Sequence, residues 1–229
     1  MHPDHNIRLL TQLTVQADEC ALFVKGGEVA GILPPKGGSY TLDSMNVPFL
    51  ANLVEQATGG NMFMAKLWFV LTREITDIKF GGPTGAVKDP TQPMMVVTPL
   101  VHGSFSLKVV DPKALIVGMT GMQATTNEKF IGWFKQQVLK IVREEIASMV
   151  VKKRVALFDV TSGAYTTDIE TAVLQRVQAH VQPYGVMVPH MGNFEIGLND
   201  DDMEKVQRFT EMQANAQLGR DPGLQGYAQ

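Results

Sequence analysis

The hydrophobic pattern of this chain changes its period abruptly at Asp111-Pro112. Before this point apolar residues alternate with polar ones, which is the pattern of a half-buried β-strand. The apolar members are Phe105, Leu107 and Val109, and the polar members are Ser104, Ser106 and Lys108. Pro112 has a fixed φ and no N–H, so it suits the first position of a helix, and Asp111 is a good N-cap acceptor. The sequence therefore predicts a strand that ends at Asp111 and passes directly into a helix.

Strand patterns dominate the chain before this point. Gly26-Gly27, directly after Lys25, lies between two apolar runs and predicts a hairpin turn. Pro99 is expected to bend the long strand in which it lies. The predicted elements are a hairpin at 12–33, a break at 34–42, a short helix at 46–60, a segment at 62–80 that fits a second hairpin and breaks near Thr72-Arg73, a loop at 81–93 and a long strand at 94–110.

Helical spacing dominates the chain after this point. The predicted elements are helices at 127–150, 152–160 and 166–186, a strand at 185–198, and a helix at 199–217 capped by Asn199 or Asp200. The order is therefore strands, then helices, then a strand and a helix. This order predicts an α+β fold, with a strand-rich N-terminal half, a helical half with one late strand, and a C-terminal helix, in contrast to a regular βαβ succession.

The same change of pattern predicts the domain organisation. Residues 1–217 are expected to form one domain, with a strand-rich subdomain at 10–110 and a helix-rich subdomain at 111–217. Residues 218–229 have no periodicity and are expected to form a flexible tail. The length of 229 residues and the hydrophobic content of 45% are sufficient for a substantial core.

Charge and cysteine content exclude several classes of protein. The net charge is −3, so no global field attracts the chain to nucleic acid, and no nucleic-acid partner is expected. Cys20 is the single cysteine, which excludes an internal disulfide and a cysteine-rich zinc site and agrees with a reducing compartment. No apolar stretch reaches the ~20 residues of a membrane span, and the N-terminus lacks the pattern of a secretory signal.

Each candidate catalytic or binding motif has a structural explanation. Cys20 lies within a strand pattern, where a small buried residue is ordinary, and the five His residues show no metal-ligand spacing. The glycine-rich segment 81–89 lacks the motifs of a phosphate loop or a dinucleotide site, so a plain turn is expected. The acidic run 199–204 lacks the glycine and glutamate of a calcium loop and fits a helix N-terminus. No catalytic residue, cofactor or metal site is predicted.

Two further features bear on surface contacts. Lys152, Lys153 and Arg154 form the only basic cluster in the sequence. Such a cluster is usually a solvated face, and contact with phosphate headgroups is the alternative interpretation. The chain has 13 Met residues, most of which are expected in the core. The methionines expected to contribute to an adaptable contact surface are Met62, Met64, Met94 and Met95.

An ordered set of motifs resembles the SPFH superfamily of stomatins, prohibitins and flotillins, also called band 7. The strand GSFSLKVVDP that feeds a helix resembles the hallmark of this superfamily. Other segments resemble its bacterial subfamily labelled virion core protein-like. These segments are QLTVQADECALFVKGGEVAGIL (12–33), GSYTL (38–42), NVPFL (46–50), KLWFV (66–70), DIKFGGPTG (77–85) and YGVMV (184–188). The signature residues within the motifs are Gly38, Tyr40, Leu42, Asn46, Pro48, Asp111, Pro112, Tyr184 and Gly185.

The resemblance implies an SPFH-like domain with an antiparallel or mixed sheet, acting as a non-enzymatic scaffold with no cofactor and no small-molecule substrate. Relatives form large homo-oligomers on the cytoplasmic face of membranes. A homo-oligomer and a peripheral membrane or membrane-protein partner are therefore expected, in a bacterial envelope-stress or membrane-organising system. The Met- and aromatic-rich segments 61–71 and 94–101 are the expected sites of self-association.

The alternative is a different class of protein, namely a soluble enzyme or a small-ligand-binding protein on an α+β scaffold. It requires a pocket lined by converging polar groups.

Overall fold

The computed structural model describes residues 6–8, 10–43, 47–52, 62–92, 94–121 and 126–218. Up to residue 110 the described chain consists mainly of strands, with a short 3-10 helix, Pro48–Asn52, among them. The strands are β1 (Asn6–Arg8), β2 (Gln12–Val15), β3 (Glu19–Lys25), β4 (Glu28–Leu33), β5 (Gly38–Thr41), β6 (Met62–Met64), β7 (Lys66–Leu71), β8 (Ile75–Pro83), β9 (Val87–Lys88), β10 (Val96–Val97) and β11 (Leu100–Val109).

After residue 110 the chain is mainly helical. The elements are α1 (Pro112–Gly121), α2 (Asn127–Ala147), a π-helical turn (Ser148–Lys152), α3 (Leu157–Thr161), α4 (Thr166–Val181), a 3-10 turn (Gln182–Tyr184), β12 (Val186–Met187), β13 (Met191–Gly197) and α5 (Asp200–Leu218). This order confirms the predicted α+β class, because a strand-rich part with antiparallel sheets is followed by helices, late strands and a C-terminal helix.

The described residues fall into two compact units that interleave along the chain. One unit contains the residues described within 1–78, 106–133 and 178–190, and the other those within 79–105, 134–177 and 191–229. Neither unit coincides with the stretch before or after residue 110. The two are called the first and the second unit below.

In the first unit, the predicted hairpin at 12–33 is confirmed in its second part. β3 and β4 pair antiparallel around Gly26 and Gly27, whose φ values are 61° and 86°. A tight hairpin turn demands such left-handed residues, and glycine adopts them without steric cost. β2, however, pairs with β5. The break predicted at 34–42 is therefore wrong for 38–41, where the preceding Pro and Gly residues obscured a short strand.

A buried core supports these strands. Phe23 of β3 is fully buried and packs edge-on against Phe49 of the 3-10 helix, with ring centroids 5.4 Å apart. The other core members are Val15, Ala21, Leu33, Leu42, Val47, Leu50 and Ala65. Of the short helix predicted at 46–60, the structure contains the 3-10 helix Pro48–Asn52. Residues 44–46 and 53–60 lie outside the described residues.

The second hairpin expected at 62–80 is wrong in its pairing. The chain does break at 72–74, between β7 and β8. However, β7 pairs with β3, β8 pairs with β11, and β6 pairs with β1. These partners are distant in sequence, and the alternation of apolar residues within one strand does not specify them. The loop predicted at 81–93 is also partly strand, because β8 continues to Pro83 and β9 follows.

Aromatic rings form the centre of the second unit. The ring of Phe105 in β11 lies 6.0 Å from that of Phe80 in β8 and 5.6 Å from that of Phe134 in α2. Phe194 of β13 lies 6.3 Å from Phe80. Apolar residues at helical spacing on α2 and α4 of the same unit are fully buried; they are Val138, Val142, Ile146, Ile169, Val173 and Val177. The helical periodicity predicted at 127–150 is thus confirmed, with its last residues in the π-helical turn.

Several element boundaries differ from the prediction. The strand predicted at 94–110 is divided into β10 and β11 at Thr98-Pro99, and the strand predicted at 185–198 is divided into β12 and β13. The helix predicted at 152–160 begins only at Leu157, and Lys152 is instead the last residue of the π-helical turn. The predicted tail at 218–229 is wrong at its first residue, because Leu218 is the last residue of α5; residues 219–229 lie outside the described residues.

β11 is more deeply buried than an alternating strand predicts. Ser104 and Ser106, on its expected polar side, are both buried. The Ser104 hydroxyl donates to the Gly192 carbonyl at 3.4 Å, and Ser106 Oγ lies 3.2 Å from His190 Nδ1. The polar alternation therefore marks hydrogen-bonded serines between packed strands, and not a solvated face.

Candidate functional site

The junction between β11 and α1 has the geometry that the sequence predicts. The Asp111 carboxylate accepts the backbone N–H groups of Lys113 at 2.9 Å and Ala114 at 3.0 Å. Pro112 is the first residue of α1. Asp111 is therefore the N-cap of α1 and provides an acceptor for two donors of the first helical turn that have no partner within the helix.

Gly185 fixes the other side of this junction. Its carbonyl oxygen accepts the N–H groups of Val110 and Asp111, both at 2.9 Å. Its φ is +70°, and a Cβ added there would overlap the carbonyl oxygen of Asp111. The position therefore requires glycine for both its conformation and its space.

Tyr184, next to Gly185, packs into the same region. Its ring meets that of Trp133 edge-on, with centroids 5.0 Å apart. A Cβ at Gly118 would lie 2.8 Å from the Tyr184 ring, so the lack of a side chain there provides the space for the ring. The structure thus brings together four of the predicted signature residues: Asp111, Pro112, Tyr184 and Gly185.

The other described signature residues lie around β5. Gly38 and Tyr40 pair with Val15 and Leu13 of β2, and the Tyr40 hydroxyl donates to the Pro34 carbonyl at 3.0 Å. Leu42 is fully buried in the core described above, and Pro48 begins the 3-10 helix. Asn46 lies outside the described residues. These contacts are structural, and none of them positions a reactive group.

A polar cluster in the first unit has the residue types of a catalytic triad. His190 Nδ1 lies 3.2 Å from Ser106 Oγ and 3.3 Å from Glu74 Oε1. A catalytic histidine contacts its nucleophile and its carboxylate through opposite ring nitrogens, whereas both contacts here use Nδ1. Ser106 is also completely buried, so a substrate has no access to its hydroxyl. Glu74 Oε1 makes no hydrogen bond within the described structure, although it lies within ion-pair distance of His190. The arrangement does not fit a proton relay.

Asp89 of the second unit is a buried carboxylate that the sequence did not reveal. Its Oδ1 accepts the N–H groups of Thr91 at 2.7 Å and Gln92 at 3.0 Å, and its Oδ2 accepts the N–H of Leu157 at 2.8 Å. Burial favours a higher pKa for Asp89, but hydrogen bonds outweigh burial and hold its pKa below the ordinary value; the largest hydrogen-bond contribution is from the Thr91 hydroxyl, which donates to Oδ1 at 2.5 Å. Leu157 is the first residue of α3, so Asp89 caps this helix from a distant loop.

Asp202 is a second buried carboxylate, within the acidic run of α5. It accepts the Lys205 ammonium at 2.6 Å and the Thr98 N–H at 2.8 Å. These two hydrogen bonds, that of Lys205 first, lower the pKa of Asp202. Asn199 caps α5 by accepting the Asp202 N–H at 2.7 Å, which confirms one of the two predicted caps. The helix dipole alone therefore does not account for the acidic run, because Asp202 also joins α5 to Thr98.

Cys20 has the structural environment that the sequence predicts. It is buried in β3, and burial raises the pKa of its thiol. A higher pKa lowers the fraction of reactive thiolate at neutral pH. No group of His, Cys, Asp and Glu residues suited to a metal ion occurs in the described part of the chain. Of the helices within the described ranges, none combines the length and apolarity that a bilayer span requires.

The predicted basic cluster lies at an exposed corner of the second unit. Lys152, Lys153 and Arg154 are all exposed, at the end of the π-helical turn. The apolar side chains on either side, Val151 and Phe158, are 64% and 71% exposed. β9 contacts the π-helical turn and carries the exposed Lys88. We call the set Lys88, Val151, Lys152, Lys153, Arg154 and Phe158 the basic–apolar surface.

The comparison with known proteins places these features in a family. No curated protein matches the chain. The family model of the SPFH domain-Band 7 family matches residues 2–214. The match contains the β11–α1 junction, both groups of signature residues and the basic–apolar surface. Because it extends over most of the 229 residues, the chain belongs to the SPFH domain-Band 7 family.

Proposed function

We propose that this protein is a non-enzymatic SPFH-type scaffold that forms homo-oligomers and associates peripherally with the cytoplasmic face of a bacterial membrane. The observation that carries the proposal is the family match over residues 2–214. The proposal includes membership of the virion core protein-like subfamily, on the motifs given above, and a role in envelope stress or membrane organisation.

The polar residues of the described structure support a non-enzymatic role. Asp89, Asp111 and Asn199 cap helices, and Asp202 joins α5 to Thr98. The His190 cluster lacks the geometry of a relay. These side chains are occupied with maintaining the fold.

The edge strand β7 supports self-association. β7 pairs with β3 on one side, and no strand in the described ranges pairs with its other side. Phe69 and Leu71 on this strand are 46% and 37% exposed. An edge strand with exposed apolar side chains is a template for pairing with another chain. We therefore assign the contact between copies to β7, which lies within the predicted segment 61–71.

Light scattering over a range of protein concentrations, with and without anionic vesicles, tests the proposal. We expect an oligomer whose mass exceeds that of the 25.1 kDa chain by several-fold, and a fraction that moves with the vesicles. A strictly monomeric mass at the highest concentration would contradict self-association. Protein that stays soluble when native membranes and their proteins are present would contradict the membrane part.

A pair of variants tests the role of β7. Phe69→Glu introduces a charge at the exposed edge and should shift the mass toward the monomer, because a buried unpaired charge opposes assembly. Thr76→Glu introduces the same charge at an exposed position of β8 and should leave the mass unchanged. Equal masses for the two variants would assign the contact to another surface.

A further inference from the structure

The backbone at Arg154 is held in a conformation that favours glycine. The Val155 N–H donates to the Met149 carbonyl at 3.2 Å, which closes the end of the π-helical turn and leaves Arg154 at φ +56°. Glycine is the usual residue at such a helix end. A long cationic side chain therefore occupies a position where its backbone is strained, and such strain is concentrated at functional sites.

The basic–apolar surface is fixed to the rest of the second unit by Asp89. The Asp89 carboxylate accepts the N–H of Leu157, the residue before Phe158. The backbone N–H of Asp89 donates to the Met95 carbonyl at 3.1 Å. Lys88, adjacent to Asp89, pairs across the strands with Val96, which is 50% exposed. The cations and apolar side chains therefore project from braced segments, and not from a loose loop.

The charge of this surface is unbalanced. No carboxylate of the described residues forms an ion pair with Lys88, Lys152, Lys153 or Arg154. Within positions 151–162 the single acidic residue is Asp159, which is exposed. The nearby Asp89 carboxylate is buried and already accepts hydrogen bonds. The chain as a whole carries −3. A negatively charged membrane surface therefore attracts these four cations, although the chain as a whole is acidic.

The exposed apolar side chains favour a bilayer over a soluble polyanion. Val151 directly precedes the three cations in the sequence, Phe158 follows Arg154 by four residues, and both side chains remain largely in water in the isolated chain. An anionic membrane accepts both groups, because cations contact the headgroups and apolar side chains enter the acyl boundary. A soluble anion interacts with the cations but offers no apolar environment for Val151 and Phe158.

We propose that the basic–apolar surface is the site at which this protein binds the anionic phospholipids of a bilayer. The inference rests on the proposed function, since it specifies the lipid chemistry and the residues of the peripheral association. Lys88, Lys152, Lys153 and Arg154 contact the headgroup phosphates, and Val151 and Phe158 insert beside them.

Vesicle binding by the full chain tests the assignment. The probes are phosphatidylcholine vesicles and vesicles in which part of that lipid is replaced by phosphatidylglycerol, each at low and high salt. We expect binding to the anionic vesicles that weakens with salt. The triple variant K152Q/K153Q/R154Q should weaken it roughly 100-fold, because each basic residue near an anionic surface contributes about fivefold. The matched control K113Q/K129Q/K140Q removes three exposed cations elsewhere and should retain most of the binding.

Two single variants separate lipid binding from folding and from simple anion binding. Phe158→Ser should weaken vesicle binding about tenfold while binding of inorganic polyphosphate is unchanged, because only a bilayer accepts the ring. Arg154→Gly should weaken vesicle binding while it raises the melting temperature, which excludes unfolding as the cause.

The outcomes distinguish this inference from the proposed function. Equal losses of vesicle binding in the two triple variants would overturn the assignment of the site to the basic–apolar surface, while the proposal of membrane association would stand. The wild-type protein could fail to bind anionic vesicles and bind native membranes only before these are treated with protease. That result would overturn lipid recognition in favour of a protein partner. Phe158→Ser with unchanged vesicle binding overturns insertion into the bilayer. Absence of binding to vesicles and native membranes overturns both membrane proposals, while the oligomeric mass still tests the scaffold.

Discussion

Asp89 holds the first N–H of α3 through a 2.8 Å hydrogen bond to Leu157, a residue 68 positions further along the chain. The same carboxylate closes its own turn by accepting the N–H groups of Thr91 and Gln92. One buried side chain therefore determines both the path of the 89–92 turn and the start of a helix. No residue next to α3 provides this cap, since Ala156 stands at the N-cap position.

Removal of this carboxylate should destabilise the protein. Asp89→Ala leaves the N–H groups of Thr91, Gln92 and Leu157 without their acceptor, and we expect a loss of about 2–4 kcal/mol in the free energy of unfolding. Asp89→Asn keeps one acceptor oxygen and should cost less. Urea unfolding followed by circular dichroism measures both. The control Asp159→Asn, at an exposed position in α3, should stay within about 0.5 kcal/mol of wild type. Equal stability of Asp89→Ala and the control would refute the cap.

Two carboxylates should make the stability of the second unit sensitive to acid. The folded-state pKa of Asp202 is below its ordinary value, mainly because of the hydrogen bond from Lys205. The folded-state pKa of Asp89 is also lowered, because its hydrogen bonds outweigh the opposing effect of burial. Such groups contribute stability that is complete above their unfolded pKa of about 3.9 and is lost as the pH falls through the folded pKa. We expect the free energy of unfolding to decline below about pH 5. In Asp89→Asn the decline measured by urea unfolding should be shallower, and an identical decline would contradict this account.

Asp111 should act on stability and not on any turnover. Asp111→Ala removes the acceptor for Lys113 and Ala114, and a lost N-cap costs about 0.5–2 kcal/mol. Asp111→Asn should be milder, because asparagine also caps helices. Thermal melts of the two variants, with a metal-binding assay beside them, make the comparison. Equal loss of an activity or of metal binding in both variants, without a change in melting temperature, would mean that the carboxylate is a catalytic or metal-binding group.

Gly185 should tolerate no side chain. Gly185→Ala places a Cβ against the Asp111 carbonyl at a φ of +70°, so the junction must shift, and we expect a loss of at least about 3 kcal/mol. Gly132→Ala is the matched control, because a Cβ in that position of α2 meets no atom within 4 Å. It should stabilise the helix by about 0.5–1 kcal/mol. Thermal melts that rank the two variants in the opposite order would disprove this view of the junction.

Arg154→Gly should increase the stability of the protein. Glycine removes the strain of a left-handed residue at φ +56°, which costs roughly 1 kcal/mol for other residues. Part of this gain is offset by the greater freedom of glycine in the unfolded chain. A differential scanning calorimetry trace of Arg154→Gly, compared with Arg154→Ala, isolates the backbone effect, because both variants remove the cation. A melting temperature for the glycine variant no higher than that of the alanine variant would show that the position carries no strain.

Local chemistry accounts for what could be predicted from the sequence. The turn at Gly26-Gly27, the cap at Asp111 and the cap at Asn199 each depend on residues within three positions, and the structure contains all three. The pairing of β2 with β5 and of β8 with β11 was not predicted, because a strand's own pattern does not identify its partner.

The remaining features depend on contacts that no local pattern encodes. The role of Asp89 depends on Leu157, and the need for glycine at position 185 depends on the carbonyl of Asp111. The basic cluster was visible in the sequence, but the proximity of β9, which carries Lys88, became apparent only in the fold. The division into subdomains at residue 110 and the signature role of the motif residues remain predictions.

On the ribosome, the interleaving of the two units sets the order in which contacts become available. Val110 and Asp111 donate to Gly185, yet the segment 134–177 of the second unit is synthesised between them. At a synthesis rate of ~5–20 residues per second, the Gly185 acceptor is added roughly 4–15 s after these two donors. The second unit likewise requires residues beyond 190. A nascent chain arrested before Gly185 therefore presents two unfinished units to chaperones and proteases, and not one finished unit beside a missing one.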